Sequence, residues 1–156
     1  MSKVITTTTC ERFDPNPKAP VQQLPAQSCD THMHICGPAS YYPYSENRIY
    51  TPPDALLSDY VHLTETLGLE RVVFVQPSVY GIDNTVMLTA MSNCPLTNRG
   101  IAVLSEDVTD AEIESLNQAQ VRGVRFNLVD VIVPGADLPL DSIKRFANRI
   151  APLGWH

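Results

Sequence analysis

The sequence is poor in charged residues and has no long apolar run. Charged side chains make up 18% of the 156 residues, and the 11 basic residues are scattered rather than clustered. With a net charge of −6, such a chain offers no basic surface to a nucleic acid or an anionic membrane. No segment approaches the roughly 20 apolar residues of a membrane helix, and residues 1–20 lack the apolar core of a signal peptide. We therefore expect a cytoplasmic protein that binds neither nucleic acid nor membrane.

Cysteine and histidine are also scarce, with four of each. No two cysteines form a C-x-x-C pair, so we expect free thiols in a reducing compartment. Two of the histidines, His32 and His34, lie two residues apart in the stretch CDTHMHICGP. This concentration makes residues 29–38 the first place to look for a metal site.

The first 28 residues differ in texture from the rest of the chain. They contain four prolines and a run of threonines but no apolar period. We interpret residues 1–28 as an N-terminal arm that is flexible or lies along the body. From Cys29 onward, strand-like and helix-like segments alternate, so residues 29–156 are expected to form one domain.

The alternation predicts an α/β fold. Predicted strands cover 29–35, 71–76, 99–104 and 123–129, and predicted helices cover 52–68, 83–93, 109–120 and 140–154. Thr109 and Glu112 have the spacing of a capping box, and Gly68 has the position of a helix stop. The segment RVVFVQ is apolar on both faces, as in a strand buried on both sides. Such βα repetition favours parallel strands covered by helices.

The chain has room for four βα units and the start of a fifth. An eight-stranded barrel takes about 250 residues. The chain therefore folds either as an open doubly wound sheet or as the N-terminal portion of a (β/α)8 TIM barrel.

Residues i and i+2 of a strand point to the same face. His32 and His34 should therefore project together, with Asp30, at the carboxyl end of the first predicted strand. This is the end at which parallel α/β folds build their sites. Imidazole suits a divalent metal such as zinc, but a catalytic zinc site needs about three protein ligands. The pair supplies only part of such a site.

The motifs CDTHMHICGP, YPYSENRIYTPPDA, RVVFVQPSVYGIDNTVML, RGIAVL and RGVRFNLV, taken in order, resemble the amidohydrolase superfamily. Within it they are similar to the branch of 2-pyrone-4,6-dicarboxylate lactonases, sulfomuconolactone hydrolases and galactarolactone isomerases. The resemblance implies a (β/α)8 barrel of which this chain is a little over half. It also implies that His32 and His34 are metal ligands or a catalytic remnant of them. The superfamily's further histidines and its general-base aspartate would lie beyond residue 156.

Other candidate site residues follow the later strands. Ser78, just after the second strand, could donate a hydrogen bond to substrate, and the resembled lactonase has a substrate-contacting serine there. Arg125 and Asn127 share a face of the fourth strand, where a guanidinium could fork onto a carboxylate. Tyr50 belongs to a Tyr-rich first loop that forms either a lid or packing.

The resembled lactonase has a second arginine a few residues after the fourth strand. Here that segment, LVDVIVPGAD, contains none. This departure argues for a substrate with fewer anionic groups than a dicarboxylate.

The leading hypothesis is a metal-dependent hydrolase that opens the lactone ring of a small carboxylated substrate, as in the breakdown of aromatic compounds. The metal, with zinc expected although some relatives work without one, would activate the attacking water. One alternative is a lactone isomerase on the same fold. Another is a truncated, non-catalytic fragment, whose open strand edges would favour a homo-oligomer.

Overall fold

The computed structural model describes residues 8–128 and 138–156 of the chain. Over these residues, a helix follows each strand of the main sheet, as the sequence predicts. In chain order the elements are β1 (Thr8–Thr9), β2 (Cys29–Met33), β3 (Tyr50–Thr51), α1 (Leu57–Leu67), β4 (Arg71–Val75), α2 (Thr85–Asn93), β5 (Thr97–Ala102), α3 (Asp110–Gln118), β6 (Val121–Val124) and α4 (Leu140–Ile150). Short 3-10 helices at Ser78–Tyr80 and Ala151–Leu153 follow β4 and α4.

The main sheet is parallel, with the strand order β2-β4-β5-β6. Each strand lies beside the next one along the chain, and one helix connects each neighbouring pair. A doubly wound sheet would reverse its order at a switch point, whereas a barrel adds its strands sequentially. The described sheet therefore has the arrangement of the first four strands of a (β/α)8 barrel, which confirms that prediction.

The last residue lies where a fifth strand would pair. The backbone N–H of His156 donates to the Arg122 carbonyl over 3.1 Å, and its carbonyl accepts from the Val124 N–H over 2.9 Å. Gly154, at φ +69°, turns the chain from the end of α4 toward β6. These bonds extend the parallel sheet by one position and confirm the predicted start of a fifth unit.

The core lies between the sheet and its helices. Val72 and Phe74 of β4 are almost fully buried, as are Met87 of α2 and Ala102 of β5. Gly100 of β5 lets α2 approach closely, since a Cβ there would lie 2.7 Å from the sulfur of Met91. None of the helices in the described ranges is both long enough and apolar enough to cross a membrane.

The structure differs from the predicted elements at the fourth main strand. The prediction was 123–129, but β6 spans Val121–Val124 and residues 125–128 are not in a strand. Residue 129 lies outside the described residues. Gly123, the first residue of the predicted strand, lies within β6, where a side chain would not fit. A Cβ there would lie 2.7 Å from the His156 carbonyl oxygen.

A second, two-stranded sheet was not predicted. β1 of the arm pairs in parallel with β3 of the first long loop, with Thr8 opposite Tyr50 and Thr9 opposite Thr51. Two-residue strands carry no periodic signal in a sequence, so this pairing depends on contacts between distant segments. The pair fixes the described start of the arm to the loop that follows β2.

Candidate active site

His32, in β2, and His34, directly after it, lie side by side at the carboxyl end of this strand. Their ring centroids are 5.0 Å apart and their planes are nearly perpendicular, at 81°. His32 is exposed and His34 is half-buried. The side chains that the i, i+2 spacing predicted to project together are therefore neighbours.

Asp30 does not join the two histidine rings as expected. β2 contains a bulge. Asp30 pairs with Val72 and Met33 pairs with Phe74, so β2 advances by three residues while β4 advances by two. The Oδ2 of Asp30 accepts a hydrogen bond of 2.9 Å from the Tyr60 hydroxyl of α1, and its Oδ1 accepts one of 3.0 Å from the backbone N–H of His32. Burial, followed by the contact with Asp30, raises the pKa of Tyr60 above its usual range. The carboxylate therefore has a structural partner.

The carbonyl of Val75, at the end of β4, fixes the ring of His34. The ring Nδ1 lies 2.7 Å from this oxygen. A carbonyl only accepts, so Nδ1 carries the proton and the neutral ring presents the lone pair of Nε2. Burial lowers the pKa of His34; the Val75 hydrogen bond opposes this, and the charges of Arg125 and His32 add to it. A neutral imidazole with one nitrogen hydrogen-bonded to a carbonyl is the form that binds metals.

Arg125 is held at the next position of the same strand end. Its Nη1 donates a hydrogen bond of 2.7 Å to the carbonyl of Gln76. Gln76 itself is fully buried, and its N–H donates to the Ile101 carbonyl over 2.9 Å. The guanidinium is therefore anchored to the rigid end of the sheet, and its charge lies close enough to His34 to affect the pKa of that ring.

A cleft of about 490 Å³ opens at this edge of the sheet. Ser78, Arg125 and Asn127 line it together, as expected of residues that follow neighbouring parallel strands. Its apolar wall includes Phe126 and Phe146, whose rings pack edge to face at 5.7 Å between centroids. We call this space the carboxyl-edge cleft.

Tyr50 lies elsewhere. It belongs to β3, is half-buried and packs against the core, and it does not line the carboxyl-edge cleft. The cleft instead receives Arg48, two residues earlier in the same loop. The sequence predicted the tyrosine of this loop as a site residue but not the nearby arginine. A lone basic residue in a loop rich in Tyr, Pro and Ser was the available signal.

A second cavity, of about 550 Å³, lies between the arm and α1. Its mostly apolar lining includes Phe13 of the arm and Leu63 of α1, and His34 also lines it. Ser78, Arg125 and Asn127 do not reach it. Neither His32 nor His34 is among the described residues that line the carboxyl-edge cleft, but Arg125 lines it and its charge acts on His34. We therefore locate the candidate active site at the histidine pair and the carboxyl-edge cleft.

The donor set fits part of a metal site. His32 and His34 are adjacent, and the tautomer of His34 suits a metal ligand. Within residues 8–128 and 138–156, no group of three or more His, Cys, Asp or Glu side chains could hold an ion. The two histidines would thus make up only part of the roughly three protein ligands that a catalytic zinc site takes.

Comparison with known proteins identifies lactone hydrolases among the relatives of this chain. The chain is 40% identical over 141 residues to a 2-pyrone-4,6-dicarboxylate hydrolase of Comamonas testosteroni, covering 90% of this chain and 46% of that protein. It is 44% identical over 132 residues to a 4-sulfomuconolactone hydrolase of Rhizobium radiobacter, covering 85% and 44% of the two. The chain spans about half the length of these relatives.

A similar fold has been solved by crystallography. The structure of a probable 2-pyrone-4,6-dicarboxylic acid hydrolase from Acinetobacter baumannii with citric acid bound matches with a TM-score of 0.72 at 27% identity. The match covers 83% of this chain and 48% of that one. A profile of the amidohydrolase family matches residues 29–156. The chain therefore belongs to the amidohydrolase family and corresponds to about the N-terminal half of these relatives.

Proposed function

We propose that this chain forms part of the active site of a hydrolase that opens the lactone ring of a small carboxylated substrate. The observation that carries the proposal is the anchoring of His34 and Arg125 on consecutive carbonyls, those of Val75 and Gln76. A ligand-type imidazole and an anion-binding guanidinium are thereby fixed side by side at the carboxyl edge of a parallel sheet. The two hydrolases that the chain matches act, by their names, on lactones that carry acidic groups.

Arg125 would bind a carboxylate of the substrate. Among the described residues, its Nε and Nη2 have no hydrogen-bond partner and no carboxylate lies within ion-pair distance. A half-buried guanidinium in that state favours a bidentate contact with an incoming carboxylate. Ser78 and Asn127, on the same wall of the cleft, would donate hydrogen bonds that orient the ring.

His32 and His34 would hold a divalent metal, for which zinc is our proposal. Such an ion would supply Lewis acidity to the lactone carbonyl and to the attacking water. His34 would contribute the lone pair of Nε2, because burial favours the neutral ring and the Val75 carbonyl accepts the proton on Nδ1. The remaining metal ligands and the proton acceptor are not among the described residues.

Lactone opening by the intact protein, followed by base titration of the released carboxylic acid, tests this proposal. A His32→Ala, His34→Ala double variant should lose turnover by a factor on the order of 100 or more. It removes both proposed metal ligands, and loss of even an outer-shell partner of a ligand lowers metal affinity or activity by about 10–100-fold. Arg125→Gln should raise KM with less effect on kcat, since it removes binding of the carboxylate. Arg99→Gln is the matched control, because Arg99 is exposed on β5 and its Nη1 bonds only the neighbouring Asn98 carbonyl.

Unchanged turnover in the double histidine variant would refute the assigned role of the pair. Product analysis distinguishes the alternative reaction, because an isomerase converts one lactone into another and consumes no base. Substrate loss without base uptake would therefore replace hydrolysis by isomerisation on the same site.

A further inference from the structure

Arg48 brings a second guanidinium into the carboxyl-edge cleft. It lies in the loop between β2 and β3, whereas Arg125 follows β6, so the two cations enter from different segments. Ser78 belongs to the same lining. A volume of about 490 Å³ is within the range that holds a small molecule.

The position of Arg48 is fixed by the protein. Its Nε donates to the Thr51 hydroxyl over 3.0 Å, and its Nη1 donates to the Ser45 carbonyl over 3.1 Å. Its Cζ lies 5.7 Å from the centroid of the Tyr44 ring, within cation–π range. These contacts hold the guanidinium at the cleft without neutralising it.

The pairing of β1 with β3 restrains the loop on the other side. The Thr8 N–H donates to the Ile49 carbonyl, and the Cys10 N–H donates to the Thr51 carbonyl, at 3.3 and 3.2 Å. The segment that carries Arg48 is therefore held by two backbone hydrogen bonds. An arginine ordered in this way loses less conformational entropy when it binds an anion.

The charge of Arg48 is uncompensated in the described ranges. No carboxylate there lies within 4.0 Å of its nitrogens, and the same holds for Arg125. One acid, Glu106, does line the cleft, but its carboxylate is bound by Arg145 and by the Ser142 hydroxyl. Within the ranges that the structure describes, the cleft thus presents two half-buried cations that no carboxylate neutralises, and such a cation favours an anionic partner.

We propose that Arg48 is a specificity-determining residue that binds a second anionic group of the substrate, opposite the carboxylate on Arg125. The inference rests on the proposed function, because it assumes that the cleft is the substrate site. The resembled lactonase has its second arginine after the fourth strand, but residues 129–137 of this chain contain none. The second cation of the cleft comes instead from Arg48, in the loop before β3. A doubly anionic lactone therefore fits this cleft better than a singly charged one.

Two small anions of the same length test the proposal on this chain without requiring catalysis. Glutarate carries a carboxylate at each end, and valerate replaces one carboxylate with a methyl group. Their affinities for the 15N-labelled protein are measured by NMR titration. The wild type should bind glutarate more tightly, and Arg48→Gln should reduce this preference about tenfold, since hydrogen bonds to charged groups are strong. Valerate affinity should stay the same.

Two further variants separate the outcomes. Arg125→Gln should weaken both anions, and the exposed control Arg99→Gln should weaken neither. If Arg125→Gln weakens both anions while Arg48→Gln leaves the glutarate preference intact, the role of Arg48 is refuted and the cleft assignment stands. If neither anion responds to Arg125→Gln, the cleft is not the substrate site and both proposals fail. Arg48→Lys should restore part of the preference, which a purely structural role would not predict.

Discussion

At the scale of single residues, the end of β4 determines the chemistry of the candidate site. The carbonyls of Val75 and Gln76 accept from His34 and Arg125, and both acceptor residues are buried. Their positions are set by pairing with β5, where the Gln76 N–H bonds the Ile101 carbonyl. The two candidate side chains are thus oriented by the sheet before any ligand arrives, and such pre-organisation is what binding and catalysis need.

The lowered pKa of His34 makes the stability of the protein dependent on pH. Below its ordinary value of 6.5, the unfolded chain takes up a proton at this ring that the folded chain resists. Above pH 6.5 the ring is neutral in both states, so His34 does not lower the free energy of unfolding. As the pH falls below this value, the unfolded chain binds the proton more readily, and the folded state is destabilised. His34→Asn, whose amide can still donate to the Val75 carbonyl, should lose less stability between about pH 7 and about pH 5 than the wild type does.

Urea unfolding at the two pH values, with a chelator present to remove metal, measures the difference. His62→Asn controls for the loss of an imidazole from an exposed position on α1. Equal pH dependence in the wild type and His34→Asn would mean that the ring is not kept neutral by folding.

At the scale of elements, the clearest sequence signals were local ones. The capping box of α3 was predicted from Thr109 and Glu112, and both of its bonds are present: Glu112 N–H to Thr109 Oγ1 at 3.2 Å and Thr109 N–H to Glu112 Oε2 at 2.7 Å. The bulge in β2 and the β1–β3 pairing were not predictable from local pattern. Both depend on the register between segments far apart in the chain, so the hydrogen bond of Asp30 with Tyr60 was not predicted.

Thr109→Ala should destabilise the protein by about 1 kcal/mol, because it leaves a backbone N–H of the first turn of α3 without its acceptor. Thr109→Ser is the matched control and should stay within a few tenths of a kcal/mol of the wild type, since it keeps the hydroxyl.

The hydrogen bonds from Thr109 also lower the pKa of Glu112, so their stabilisation is present above its ordinary value of 4.5 and lost as the pH falls below it. Urea unfolding near neutral pH and again in acid should show the Ala deficit shrinking in acid; a constant deficit would contradict this reading.

At the scale of the whole molecule, strand order decides the architecture. Strand and helix signals alone fitted a doubly wound sheet as well as a barrel, and the sequential order β2-β4-β5-β6 favours the barrel.

Ser78, Arg125 and Asn127 could be placed together from sequence because residues that follow neighbouring parallel strands share an edge. Arg48 could not, because the path of its loop has no periodic signal. Within the described residues, β2 forms one edge of the sheet, and self-association through such edges stays a prediction.

At the other edge of the described sheet, the position of His156 beside β6 depends on the packing of Trp155. Its ring is buried, its Nε1 donates to Asn117 Oδ1 over 3.0 Å, and the next residue makes the two backbone bonds to β6. Trp155→Ala should cost about 3–5 kcal/mol, a large share of the stability of an ordinary domain. Trp155→Phe keeps most of the apolar contact and should cost about 1–2 kcal/mol, because Asn117 Oδ1 retains the Arg122 guanidinium as a donor at 3.1 Å.

Urea unfolding followed by circular dichroism gives both values, and hydrogen exchange at the Val124 and His156 amides shows whether the loss is local. If Trp155→Ala unfolds like the wild type and keeps those amides protected, the fifth-strand position is held by its backbone bonds alone and the packing of the ring does not stabilise it.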